Sequence, residues 1–129
     1  MKYVINNEKH IEADLGFGKM VISSDPDVGF RPVELLVSSV AACSGSVFYS
    51  ILKKQRLDFS DVSIEAEVER NKTEANRVVK MTLHFTVKGT ELNEKKLLRN
   101  LQITRRYCGM LRSVEESIAV EEKLTIIEQ

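Results

Sequence analysis

Residues 35–52 form an 18-residue run without one charged side chain, set inside a longer helical pattern. Pro32 suits the first turn of a helix, where its missing N–H costs nothing. Glu34 suits the positive end of the helix dipole; Lys53, Lys54 and Arg56 suit the negative end. The pattern predicts one helix over residues 32–56. Its middle is apolar or small on every face, and such a helix is buried all round. One small sheet covers only one side, so a second subunit is the economical cover for the other, and a homodimer is expected. Ser38, Ser39, Ser44, Gly45, Ser46 and Ser50 dilute the apolarity, and 18 residues is at the edge of what spans a bilayer. The expectation is a buried core helix in a soluble, cytoplasmic protein, with no membrane partner. The N-terminus turns polar at Asn6, Asn7 and Glu8, too soon for the apolar region of a signal peptide.

The chain has 129 residues, a length that points to a single domain over residues 1–129. Its 19 Lys+Arg balance 19 Asp+Glu, which argues against a nucleic-acid partner, since that needs a net basic footprint. The short basic runs Lys53-Lys54 and Arg105-Arg106 read as solvated helix ends. The two cysteines, Cys43 and Cys108, stand 65 residues apart with no C-x-x-C spacing. His10 and His84 are far from both in sequence, so no zinc site is expected, nor any other metal or organic cofactor.

Alternation locates the strands. Met1 to Ser24 reads as two or three short strands with a turn at Gly16-Phe17-Gly18. In residues 62–70, Val62, Ile64, Ala66 and Val68 face one way and Ser63, Glu65, Glu67 and Glu69 the other. In residues 79–87, Val79, Met81, Leu83, Phe85 and Val87 face in, and His84 falls on the polar face. Asn93 is a plausible N-cap for a helix over residues 94–106. A short helix over 109–116 and a last strand over 118–127 complete the order βββ-α-ββ-α-α-β. That order describes an α+β domain: a long buried central helix on largely antiparallel sheets.

On an ideal helix Cys43 shares a face with Leu36, Ser39, Val40, Val47 and Ser50, an apolar wall carrying hydroxyls. A thiol there is ordinarily an inert core residue, and burial raises its pKa. Cys108 follows Arg105 and Arg106, precedes Arg112, and stands where a short helix begins. Those surroundings favour thiolate, so by sequence Cys108 has the better electrostatic setting. Its bland reading is a cysteine that only packs at a helix junction.

The segment running from Arg31-Pro32-Val33-Glu34-Leu35-Leu36 to Ala41-Ala42-Cys43 resembles the P-x-E-L-L…A-x-C helix of the OsmC/Ohr-like proteins. These are the osmotically inducible protein C and organic hydroperoxide resistance families. Arg106-Tyr107-Cys108 is similar to that family's Y-C junction, and the elements between follow the family's order. The resemblance implies the OsmC/Ohr-like fold, an intertwined homodimer with long helices packed between sheets from both subunits. It also implies that Cys43 is the peroxidatic thiol and Cys108 the resolving one. The substrate would be a small organic hydroperoxide and the reductant a dithiol, lipoamide-like or other. Leu36, Val40, Val47 and Phe48 are the candidate substrate-lining residues on helix geometry.

Two positions depart from the family's hydroperoxide reductases. Val33 stands where they carry a Glu after the helix proline, and Glu34 follows one residue later. Lys19 is the only lysine or arginine between residues 10 and 30, where they carry an activating Arg. Arg31, the first arginine of the chain, is the candidate substitute, pairing with Glu34 or reaching the partner subunit's Cys43. Two functions follow. One is thiol-dependent hydroperoxide reduction, with Cys43, Cys108, Glu34 and Arg31 as catalytic residues. The other is a non-catalytic module of the same scaffold, binding a small apolar or acyl ligand at the dimer interface.

Overall fold

The computed structural model describes all residues, Met1–Gln129, as two compact units, Met1–Ser38 and Ser39–Gln129. It is a mixed α+β fold with two three-stranded sheets and three helices. In the first unit, β1 (Lys2–Asn7), β2 (His10–Asp14) and β3 (Lys19–Ile22) form an antiparallel meander. Helix α1 (Pro32–Lys54) begins in the first unit and ends in the second. The second unit adds β4 (Phe59–Asn71), β5 (Arg77–Gly89), α2 (Glu94–Tyr107), α3 (Gly109–Val114) and β6 (Ala119–Glu128).

Helix α1 stops two residues before the sequence pattern suggests. Arg56 adopts φ 55°, its N–H donates to Lys53 O, and the Leu57 N–H donates to Leu52 O. This is the paired-bond ending in which a left-handed residue satisfies the last carbonyls, here without the usual glycine. Only one row of the helix is fully enclosed: Val40, Ser44, Phe48 and Leu52, at four-residue spacing. Phe48 meets Phe85 edge to face, with ring centroids 5.1 Å apart. Burying side chains of this size contributes about 1.5–3 kcal/mol each. Gly45 lets the helix come close to β4, because a Cβ there would be 3.1 Å from Ile64 Cδ1. The remaining faces stay open in the single chain: Ala42, Ser46, Tyr49 and Ser50 are exposed. By length and composition α1 could cross a membrane; in this fold it is the helix that carries the core row.

Two details of the second sheet depart from the sequence pattern. A bulge at Glu69/Arg70 pairs Arg70 with Val78 after Glu69 pairs with Lys80. An extra residue shifts the alternation by one, so Val78 is buried and Val79 only partly so. The sheets are also not antiparallel throughout, because β6 runs parallel to β5. Parallel neighbours need a long crossover, and α2 and α3 together supply it. His84, on the polar face, places its Nε2 2.7 Å from Thr125 Oγ1 on β6.

Candidate functional site

The crossover that makes β6 parallel also positions the second thiol. Asn93 caps α2, its side chain accepting from the Lys96 N–H at 2.9 Å. Leu97 and Leu101 face the core from this helix. Asn100 and Gln55 exchange side-chain hydrogen bonds at 2.8 and 2.9 Å, tying α2 to the end of α1. Helix α2 then closes on Cys108, whose N–H donates to Thr104 O at 2.9 Å. The same residue opens α3: its extended backbone (φ −84°, ψ 103°) turns the chain, and its sulfur accepts from the Leu111 N–H at 3.4 Å. One cysteine thus terminates one helix and caps the next, and its thiol is fully buried.

Two positions along α1 complete the arrangement. The Ser44 hydroxyl donates to Cys108 Sγ at 3.2 Å. Cys43 is half-buried and free of any disulfide, and the Cys108 side chain is among the groups that act on its thiol. The backbone N–H of Met110 holds the Cys43 thiol below its ordinary range, aided by the Cys108 side chain and the Gly109 N–H, against the opposing effect of burial. Cys108 goes the other way. Burial pushes it up, with Ser44 and Leu111 partly offsetting, and the neighbouring Cys43 pushes it further. The two thiols are therefore biased in opposite directions, Cys43 towards thiolate and Cys108 towards thiol.

This reverses the electrostatic ranking of the two thiols suggested by sequence. Two of the three arginines near Cys108 in sequence are committed elsewhere. Arg105 donates to Val120 O at 2.8 Å and lies 3.7 Å from Glu122. Arg112 pairs with Glu115 at 2.8 Å and donates to Arg106 O. The donors that matter are backbone N–H groups of α3: those of Met110 and Gly109 serve Cys43, while that of Leu111 only partly offsets the burial of Cys108.

The other sequence candidates are placed as follows. Arg31 Nε and Glu34 Oε1 form an exposed ion pair at 2.7 Å, and this partner lowers the Glu34 pKa. Val40 and Phe48 are fully enclosed in the core rather than lining open space. Leu36 is half-buried in the first unit. Val47 lines a cavity of about 510 Å³ with Ser50, Ile51, Ile103 and Tyr107, and Lys54 borders it. No group of three or more acidic, histidine or cysteine side chains is arranged to hold a metal ion. Sequence reasoning counted Ser44 only as a diluting serine. Its position in the apolar row Val40–Phe48–Leu52 was the available signal, since a buried hydroxyl requires a partner.

The family model described as OsmC-like protein matches residues 24–123. Protein YhfA of Escherichia coli (strain K12) is 24% identical over 117 residues, 90% of this chain and 87% of that one. A hypothetical protein from Aquifex aeolicus VF5 has a solved structure that superposes with TM-score 0.87 at 22% identity, covering 99% of this chain and 95% of its own. The OsmC like protein from Mycoplasma pneumoniae superposes at 0.84 with 13% identity, covering 98% and 94%. The organic hydroperoxide resistance protein OhrB of Bacillus subtilis does so at 0.68 with 21% identity, covering 96% and 95%. At these identities the structural likeness is one of fold.

Proposed function

Because this chain belongs to the OsmC-like protein family, we propose that it reduces organic hydroperoxides through a two-cysteine cycle, with Cys43 peroxidatic and Cys108 resolving. The observation that carries the reading is the contact between two free thiols of opposite bias, Cys43 held towards thiolate and Cys108 towards thiol. The Cys43 thiolate attacks the outer peroxide oxygen. The O–O bond breaks, the alkoxide leaves as alcohol after taking a proton, and Cys43 becomes a sulfenic acid. Cys108 then attacks the Cys43 sulfur, releasing water and forming a disulfide. An external dithiol, lipoamide-like or other, restores both thiols and leaves as its own disulfide.

The half-buried position of Cys43 suits an organic rather than a fully polar peroxide. The open faces of α1 support a homodimer, and the two free thiols suit a reducing, cytoplasmic compartment. In this reading Arg31 and Glu34, which pair with each other at 2.7 Å, are carried as candidate catalytic residues on the sequence resemblance. Arg31→Ala then slows peroxide consumption while leaving the Cys43 titration unchanged.

The test is to treat the reduced protein with cumene hydroperoxide and follow intact mass and free thiols. The expected result is rapid loss of both thiols with a mass decrease of two hydrogens. Cys43→Ser abolishes it, and Cys108→Ser stops at the Cys43 sulfenic acid. Slow or absent oxidation of the unsubstituted protein would refute the reading and turn attention to an apolar or acyl ligand.

A further inference from the structure

We propose that Ser44 is a working part of the resolving half of this site: its hydroxyl stabilises the thiolate that Cys108 must become when it attacks Cys43. The inference rests on the two-cysteine reading and deepens it.

Ser44 is fully buried, and its Oγ is 3.2 Å from Cys108 Sγ. The Leu111 N–H meets the same sulfur at 3.4 Å. These two donors converge on an atom that is otherwise enclosed. An alanine would occupy the Val40–Phe48 row with better helix propensity and no hydroxyl to satisfy, so packing alone gives no reason for a serine.

The chemistry does give one. In resolution, the Cys108 S–H bond breaks and its proton goes to the departing hydroxyl. The Cys108 sulfur forms the S–S bond, the S–O bond of Cys43 breaks, and water leaves. In regeneration, an external thiolate attacks the Cys43 sulfur, and the S–S electron pair goes to Cys108. Both steps place negative charge on Cys108 Sγ, and a stabilised thiolate is also the faster leaving group. No arginine, lysine or carboxylate contributes to the balance at this sulfur. Burial and the neighbouring Cys43, its titratable partner on α1, disfavour the charge, and Ser44 and the Leu111 N–H favour it. Arg105 and Arg112, nearby in sequence, are occupied by Val120 O and Glu122 and by Glu115.

The experiment is single-turnover oxidation of Ser44→Ala and the unsubstituted protein across pH, with sulfenic acid trapped by dimedone and disulfide followed by mass. Cys43 sulfenic acid should form at an unchanged rate, because Ser44 does not donate to Cys43. Losing a hydrogen bond to a charged sulfur lowers the Cys108 thiolate fraction about tenfold below its pKa. The more basic thiolate is about threefold more nucleophilic, so disulfide formation is about threefold slower at neutral pH and faster at high pH. The two pH profiles therefore cross. Coincident profiles, or a slowing uniform in pH as a packing defect would give, overturn the proposal. If the unsubstituted protein forms no sulfenic acid, the peroxidase reading fails instead. The donor role is then decided by ultraviolet titration of the Cys108 thiolate in a Cys43→Ser background. An upward shift on adding Ser44→Ala supports it, and an unmoved titration overturns it.

Discussion

Replacing Cys108 by serine and by alanine separates two tasks that the structure gives to one side chain. As the cap of α3 it accepts from the Leu111 N–H, and as a neighbour of Cys43 it supplies a hydrogen-bond donor. Serine can do both: its oxygen is a preferred helix cap, and its O–H is a stronger donor than S–H. It can also accept from Ser44, so no buried polar group is stranded. Alanine can do neither. Losing the cap costs about 1 kcal/mol. Leaving the buried Ser44 hydroxyl unpartnered costs about 1 kcal/mol more, the low end because a helical serine can turn back to the preceding turn's carbonyl. Cys108→Ala should therefore be about 2 kcal/mol less stable than Cys108→Ser, measured by urea unfolding at one protein concentration. Both variants keep a single thiol, so ultraviolet titration reports Cys43 alone. Removing one weak donor, with the Met110 and Gly109 N–H groups still in place, should lower the Cys43 thiolate fraction about fivefold near neutral pH in Cys108→Ala. Cys108→Ser should titrate at or below the unsubstituted protein. Equal stability and equal titration of the two variants would refute the assignment of Cys108 as both cap and donor.

Other consequences can be measured separately. Folding raises the Cys108 pKa, so the unfolded chain loses that proton first, and stability falls as pH rises from the ordinary thiol range towards the raised value. Cys108→Ser should remove this fall, seen as a growing advantage in urea midpoint at alkaline pH. Cys43 acts in the opposite sense. Its lowered pKa contributes stability that is fully present above the ordinary thiol range and lost as pH falls through the lowered value. Cys43→Ser should flatten that part of the urea-midpoint profile. Phe48→Ala empties a fully enclosed position against Phe85 and should cost about 3–5 kcal/mol by urea unfolding. Arg56→Gly relieves a left-handed non-glycine residue at the end of α1 and should raise stability by up to about 1 kcal/mol, with no change in thiol chemistry.

What could be read from the sequence was whatever repeats with a period. The uncharged run predicted α1, which encloses one row of side chains and leaves its outer faces open in the single chain. Alternation found β4 and β5 and failed only where the bulge at Glu69/Arg70 displaced Val79 by one position. The site was less legible because its decisive groups carry no side-chain signature. The Met110 and Gly109 N–H groups that favour the Cys43 thiolate belong to every chain and become donors only where a helix begins beside a thiol. Arg105, Arg106 and Arg112 are conspicuous in sequence, yet two of them are bound to carbonyls and carboxylates of their own surroundings. A guanidinium lowers a thiol's pKa by proximity in space, and proximity in sequence is a poor substitute where a helix ends and the chain turns. Ser44 lies between these cases. Its place in a buried apolar row marked it as a hydroxyl that needed a partner, but which atom would satisfy it depended on a contact across 64 positions of chain. The two-cysteine reading thus combines two kinds of information: residue types at matching positions, which single out the thiols, and backbone geometry at the α2–α3 junction, which biases them in opposite directions.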